Sequence, residues 1–167
     1  DRGANIVSLD QFSTHPLGGS FFQRTEFHLP GLAARIDPLR AELTARIAEP
    51  FGARFTLAEA AKPKRVAILA SRTDHCVLDL LWRQRRGEIA MTVGMVISNH
   101  PDLAEPVRQF GIPFVHIPVA KDRRAEAEQR QLELLRGNVD LVVLARYMQI
   151  LSSGFLEEVG CPVINIH

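Results

Sequence analysis

KRVAILASRTDHCVLDLLWRQRRG, residues 64–87, decides the fold. Val66 to Ala70 is an unbroken apolar run of strand length, as a strand buried on both faces requires. Thr73 or Asp74 then caps a helix whose apolar residues include Val77, Leu78 and Leu81. Arg85 and Arg86 place cations at the negative end of that helix, and Gly87 stands at the C′ position where a left-handed residue ends it. A buried strand feeding a helix is half of a parallel βαβ unit.

The unit repeats downstream. Ala90 to Ile97 predicts a second strand, Leu103, Val107 and Phe110 a short helix ending at Gly111, and Pro113 to Pro118 a third, shorter strand. A polar helix from about Arg123 to Arg136 stops at Gly137, Asp140 to Ala145 predicts a fourth buried strand, and Ser152 caps a short helix before a fifth, Pro162 to His167. The fold class is therefore α/β, with a Rossmann-like parallel sheet over residues 61–167. Upstream, residues 1–60 read as a small α+β unit. A strand near Ala4 to Phe12 and another from Phe21 to His28 flank the turn His15-Pro16-Leu17-Gly18-Gly19. Asp37 with Pro38 at the first helical position predicts a helix whose stripe is Leu39, Leu43 and Ile47, ending before Pro50 and packing on that hairpin. Arg54 to Leu57 predicts a last short strand, and Ala58 to Lys64 a linker.

Composition bounds the partners. With 167 residues and 46% hydrophobic content the chain can bury a core. Twenty Lys and Arg against nineteen Asp and Glu give a net charge of +1, which supplies no electrostatic reason to expect nucleic acid or an anionic membrane. No run approaches the roughly 20 apolar residues of a membrane span, and the start lacks the apolar stretch of a signal peptide, so a cytoplasmic protein acting on a small ligand is expected. Two cysteines, Cys76 and Cys161, are too few for a disulfide framework. The first residue is Asp1 rather than Met, and the last is His167 inside a strand; both features predict a fragment of a longer chain.

In an open parallel sheet the chemistry gathers at the carboxyl ends of the strands. The fifth strand brings Asn165 and His167 there, two apart and so on one face, where an amide and an imidazole can polarise a carbonyl together. An arbitrary Asn-x-His at a strand end is more often two polar residues at a loop. The first strand ends in Ser71-Arg72-Thr73-Asp74-His75 without the glycines a dinucleotide or P-loop site needs. Cys76 in the first turn of the next helix reads at least as well as a packing residue as a reactive thiol. His75, Cys76, His100 and His167 share no metal-ligand spacing, so no metal is expected. After the fourth strand comes Leu144-Ala145-Arg146-Tyr147-Met148-Gln149-Ile150-Leu151. Composition leaves two readings open: apolar residues packing under the sheet, or a slot for a flat heterocycle.

Four segments together carry a family resemblance: Asp140 to Ser152, Val96-Ile97-Ser98-Asn99-His100, the helix start from Asp74 to Leu81, and Ile164-Asn165-Ile166-His167. With them the chain resembles the formyltetrahydrofolate deformylases, or hydrolases, over essentially its whole length. The Asn-x-His is shared with folate-dependent formyltransferases in general, whereas the His75-Cys76 helix start and the small N-terminal unit point to the hydrolases. The resemblance implies a formyltransferase-like catalytic domain over 61–167, preceded over 1–60 by a ferredoxin-like ACT domain whose first strand and helix would lie before Asp1. It implies hydrolysis of 10-formyltetrahydrofolate to formate and tetrahydrofolate, supplying formate for purine synthesis, with no cofactor beyond the folate substrate. Asn165 would donate to the developing oxyanion and His167 would polarise and transfer a proton. Leu144, Met148, Ile150 and Leu151 would line the pterin slot, and an Asp well downstream of the motif would activate water. Some relatives carry Arg or Lys where this chain has Gln149, an amide with no charge to offer the glutamate tail. The ACT-like unit implies binding of a small amino acid and a homo-oligomer. Competing readings are a folate-dependent formyltransferase, for which a phosphate-cradling glycine turn after the first strand is missing, and a non-catalytic module that binds an amino acid and folate.

Overall fold

The computed structural model describes residues 3–60, 62–120 and 122–166. They group into two compact units, Asp1–Glu59 and Ala60–His167.

In the first unit β1 (Asn5–Ser13) and β2 (Phe21–His28) pair antiparallel, with Phe12 opposite Phe22 and Asn5 opposite His28. Thr14 closes the turn from both sides: its N–H donates to the Ser20 carbonyl at 3.0 Å, and its Oγ1 accepts from the Ser20 N–H at 2.9 Å. Gly19 is required there, because a Cβ on it would stand 2.5 Å from the His15 nitrogen. The helix differs from expectation. α1 spans Leu32–Leu43 with Pro38 inside it, so Asp37 is not its cap. Leu32, Ile36, Leu39 and Leu43 fall at i, i+4, i+7 and i+11, one stripe that begins upstream of the proline. The chain then runs through a wider, π-helical turn at Thr44–Ala48 into α2 (Glu49–Phe51), passing Pro50 and stopping at Gly52, whose φ is 60°. Residues 54–57 form no strand; the Leu57 carbonyl accepts from the Arg40 guanidinium at 3.3 Å instead of from a ladder.

The second unit is an α/β layer structure. Its strands are β3 (Lys64–Ala70), β4 (Met91–Ser98), β5 (Phe114–His116), β6 (Leu141–Ala145) and β7 (Val163–Ile166). All pair in parallel, in the order β5-β4-β3-β6-β7. Between them come α3 (His75–Arg85), α4 (Ala104–Arg108), α5 (Arg124–Leu135) and α6 (Ser153–Glu158). Alternation along β3 divides the core. Val66, Ile68 and Ala70 pack with Val77, Leu81 and Val107 of α3 and α4, while Ala67 and Leu69 pack with Leu132 and Leu135 of α5 and Phe155 of α6. Gly87, Gly111 and Gly137 end α3, α4 and α5 with φ of 70–75°, as the sequence predicts.

Strand order reverses between β3 and β6, so the crevice expected of such sheets opens at their carboxyl ends. At the opposite end the same two strands are clamped by a bidentate pair. Arg65 Nη2 donates to Asp140 Oδ1 at 2.8 Å and Nε to Oδ2 at 3.2 Å, with the Arg65 backbone N–H adding a bond to Oδ2 at 2.8 Å. The side-chain bond from Arg65, then its backbone bond, hold the Asp140 carboxyl down at about 2. Among the described residues no helix is long and apolar enough to cross a membrane.

Candidate functional site

Three strand ends meet through Ser71, the residue after β3. Its hydroxyl donates to Asn99 Oδ1 at 2.7 Å and accepts from the Met148 N–H at 3.0 Å, while its carbonyl accepts from Ser98 Oγ at 3.0 Å. Ser98 Oγ in turn accepts from the His100 N–H at 3.1 Å. Ser71, Ser98 and Asn99 are all buried, so these bonds are worth more than they would be in water, and a missing partner would leave an orphaned polar group. The network fixes the loops after β3, β4 and β6 relative to one another.

Above it lies a cleft of about 280 Å³, lined by Ser71, Arg72, Thr73, Asn99, His100, Arg146, Met148 and Gln149. In the sequence Ser71 reads only as part of a turn without glycine, and nothing singles out Arg146. The partners of Ser71 lie 28 and 77 positions away, and no local pattern signals such a meeting. Arg146 carries one visible signature in the structure: φ of 55°, the only positive value for a non-glycine among the described residues.

The loop from Arg146 to Ser152 is tied down along its length. Tyr147 is buried and its hydroxyl accepts from Gln131 Nε2 at 2.8 Å; burial pushes the phenol pKa up, against the smaller opposing effect of that bond. Ser152 caps α6 by accepting from the Phe155 N–H at 3.1 Å, and both its N–H and its hydroxyl donate to the Glu128 carboxylate of α5. A loop fixed at Tyr147, Met148 and Ser152 presents a formed surface to a ligand.

The predicted site residues are distributed along this edge. Met148 lines the cleft and is 58% exposed. Leu144 and Leu151 are half-buried and pack against the α5 and α6 core, and Ile150 stands 78% exposed. Asn165 is exposed on β7, in register with Leu144 on β6, so these two neighbours share a face of the sheet. The structure therefore brings Asn165 and Leu144 together, and Met148 to the adjoining cleft, while Ile150 contributes to neither core nor cleft. His167 lies outside the described residues. Among the described residues no three His, Cys, Asp or Glu side chains converge where a cation would sit. Cys76 and Cys161 are free, and burial followed by the Asp140 charge raises the Cys161 thiol.

Comparison with known proteins adds an independent line. Residues 64–167 match the formyl transferase family model. The chain is 68% identical over 165 residues to a Mycobacterium bovis protein named formyltetrahydrofolate deformylase, a match covering 99% of this chain and 53% of that protein. A Bacillus subtilis protein of the same name is 42% identical over 168 residues, with 100% of this chain and 56% of the relative covered. Among solved structures, a formyltetrahydrofolate deformylase from Pseudomonas syringae superposes with a TM-score of 0.88 at 37% identity, over 99% of this chain and 55% of that one. The chain spans about half the length of the curated relatives it matches.

Proposed function

Since this chain belongs to the formyl transferase family, we propose that the protein hydrolyses 10-formyltetrahydrofolate to formate and tetrahydrofolate. The observation that carries this reading is the joint match: relatives named as deformylases align with 97% or more of the chain, both units included. A transferase reading accounts for the second unit alone.

The chemistry follows from the reaction. Water attacks the formyl carbon, a C–O bond forms, and the carbonyl oxygen takes negative charge. The C–N bond to the folate nitrogen then breaks as that nitrogen gains a proton. Asn165, exposed at the end of β7, is the donor proposed for the oxyanion, a role typically worth about 3–4 kcal/mol in the transition state. His167 is the proposed proton-transfer group, worth about 10² to 10⁴ in rate. Water activation is the role proposed for a carboxylate downstream of the Asn-x-His motif, as the family resemblance implies. Leu144, Met148, Ile150 and Leu151 are the residues proposed for the pterin slot; the support is Met148, which lines the cleft on a loop tethered to α5 and to Ser71. Residues 1–60 are proposed as an ACT-like unit that binds a small amino acid and associates copies of the protein in the cytoplasm.

The test is formate release from 10-formyltetrahydrofolate by the full-length protein, beside Asn165→Ala and His167→Ala. Release that falls by about 10² or more in each variant supports the assignment. Folate binding without formate release would leave a binding module or a transferase lacking its acceptor.

A further inference from the structure

The cleft over Ser71 has a charge its neighbours do not balance. Two arginines, Arg72 and Arg146, and His100 line it, and among the described residues no carboxylate does. Arg146 is held at φ 55°, a conformation that suits glycine and is costly for a residue with a Cβ. Its Nε is enclosed by protein yet has no hydrogen-bond partner among the described residues. A buried donor without an acceptor is rare and calls for an explanation such as strain, a functional role, or an ordered water or ion. The backbone N–H of Arg146 donates to the Ile166 carbonyl at 3.1 Å, which pins this residue to the end of the strand that carries Asn165. A guanidinium offers parallel N–H groups that match the two oxygens of a carboxylate. Asn99 Oδ1 accepts from Ser71, which sets the orientation of the amide, and its N–H groups are donors suited to an acceptor.

We propose that this cleft is a carboxylate subsite anchored by Arg146, with Arg72 as second cation, and that it receives formate. The choice of formate rests on the hydrolase reading above, in which formate is the anion released beside Asn165. A cleft of about 280 Å³ has room for formate with several waters. The αL conformation is then the means by which a residue just past β6 turns its backbone to β7 while its guanidinium joins the cleft.

Titration of ¹³C-formate into the full-length protein, followed by saturation-transfer NMR, tests this, with glutarate and inorganic phosphate as competing probes. Arg146→Gly removes the guanidinium and suits φ 55°, so the fold is kept, while Arg146→Lys keeps the charge and loses the fork. Arg65→Gln, at the opposite end of β3, is the control. Saturable formate binding, weakened about tenfold or more in Arg146→Gly, less in Arg146→Lys and not in Arg65→Gln, is the expected result. Absence of saturable binding, or binding unchanged in Arg146→Gly, overturns the subsite. Binding of phosphate or glutarate but not formate overturns the formate assignment. Formate bound at Arg146 in a protein that releases none from the folate keeps the subsite and removes the hydrolase, so the two readings fail separately.

Discussion

The hairpin of the first unit and β3 of the second are both rich in apolar residues, and they meet opposite fates. Phe12, Phe21 and Phe22 are 64%, 62% and 58% exposed, whereas Val66 to Ala70 are at most 1% exposed. Parallel strands are joined through helices that fold back over the sheet, so β3 receives α3 and α4 on one face and α5 and α6 on the other from its own connections. Two antiparallel strands joined by a turn bring no such cover, and α1 has no fully buried residue. Apolar content thus measures what a segment can bury; connectivity decides whether it does.

The sharpest way to break this comparison is to truncate one residue in each region and measure denaturant midpoints. Ile68→Ala, at a fully buried position, should cost about 2–5 kcal/mol in the second unit. Next, Ser71→Ala should cost about 1–3 kcal/mol, because Asn99 Oδ1 and the Met148 N–H lose a partner in a buried setting. A smaller effect belongs to the exposed Arg65–Asp140 clamp. The carboxyl pKa is lowered on folding from 3.8 to about 2, so its contribution is present above the ordinary value and is lost as pH falls through about 2. An NMR titration should place the Asp140 midpoint near 2, and Arg65→Gln should return it toward 3.8. Smallest of all is Phe22→Ala, within about 0.5 kcal/mol on the same denaturant scale. A hairpin cost equal to that of Ile68→Ala would overturn the contrast.

The same contrast explains what could be read from the sequence. The βα repeat was legible because each element carries its own signals: the apolar run of β3, the Ser152 cap, and glycines at the ends of three helices. In the first unit those signals conflict. Pro38 reads as a helix start and sits inside α1, because the Leu32 to Leu43 stripe outweighs it. Arg54 to Leu57 has the composition of a strand but no ladder in the structure. Near the candidate site, the sequence already placed Asn165 at the end of a strand and Met148 in the loop after β6. Ser71 and Arg146 were not legible there, since a buried hydroxyl shared by three loops and a left-handed arginine exist only once β3, β4 and β6 are side by side.

Hydrolysis, as opposed to transfer, is decided by the fate of water. The most direct measurement is turnover of 10-formyltetrahydrofolate by the full-length protein in ¹⁸O-labelled water, with the formate analysed by mass spectrometry. One solvent oxygen in each formate, with release lowered about 10²-fold or more in Asn165→Ala, is the result predicted for water attack on a carbonyl held by β7. Formate that carries no solvent oxygen, or no formate until an amine acceptor is added, would contradict it.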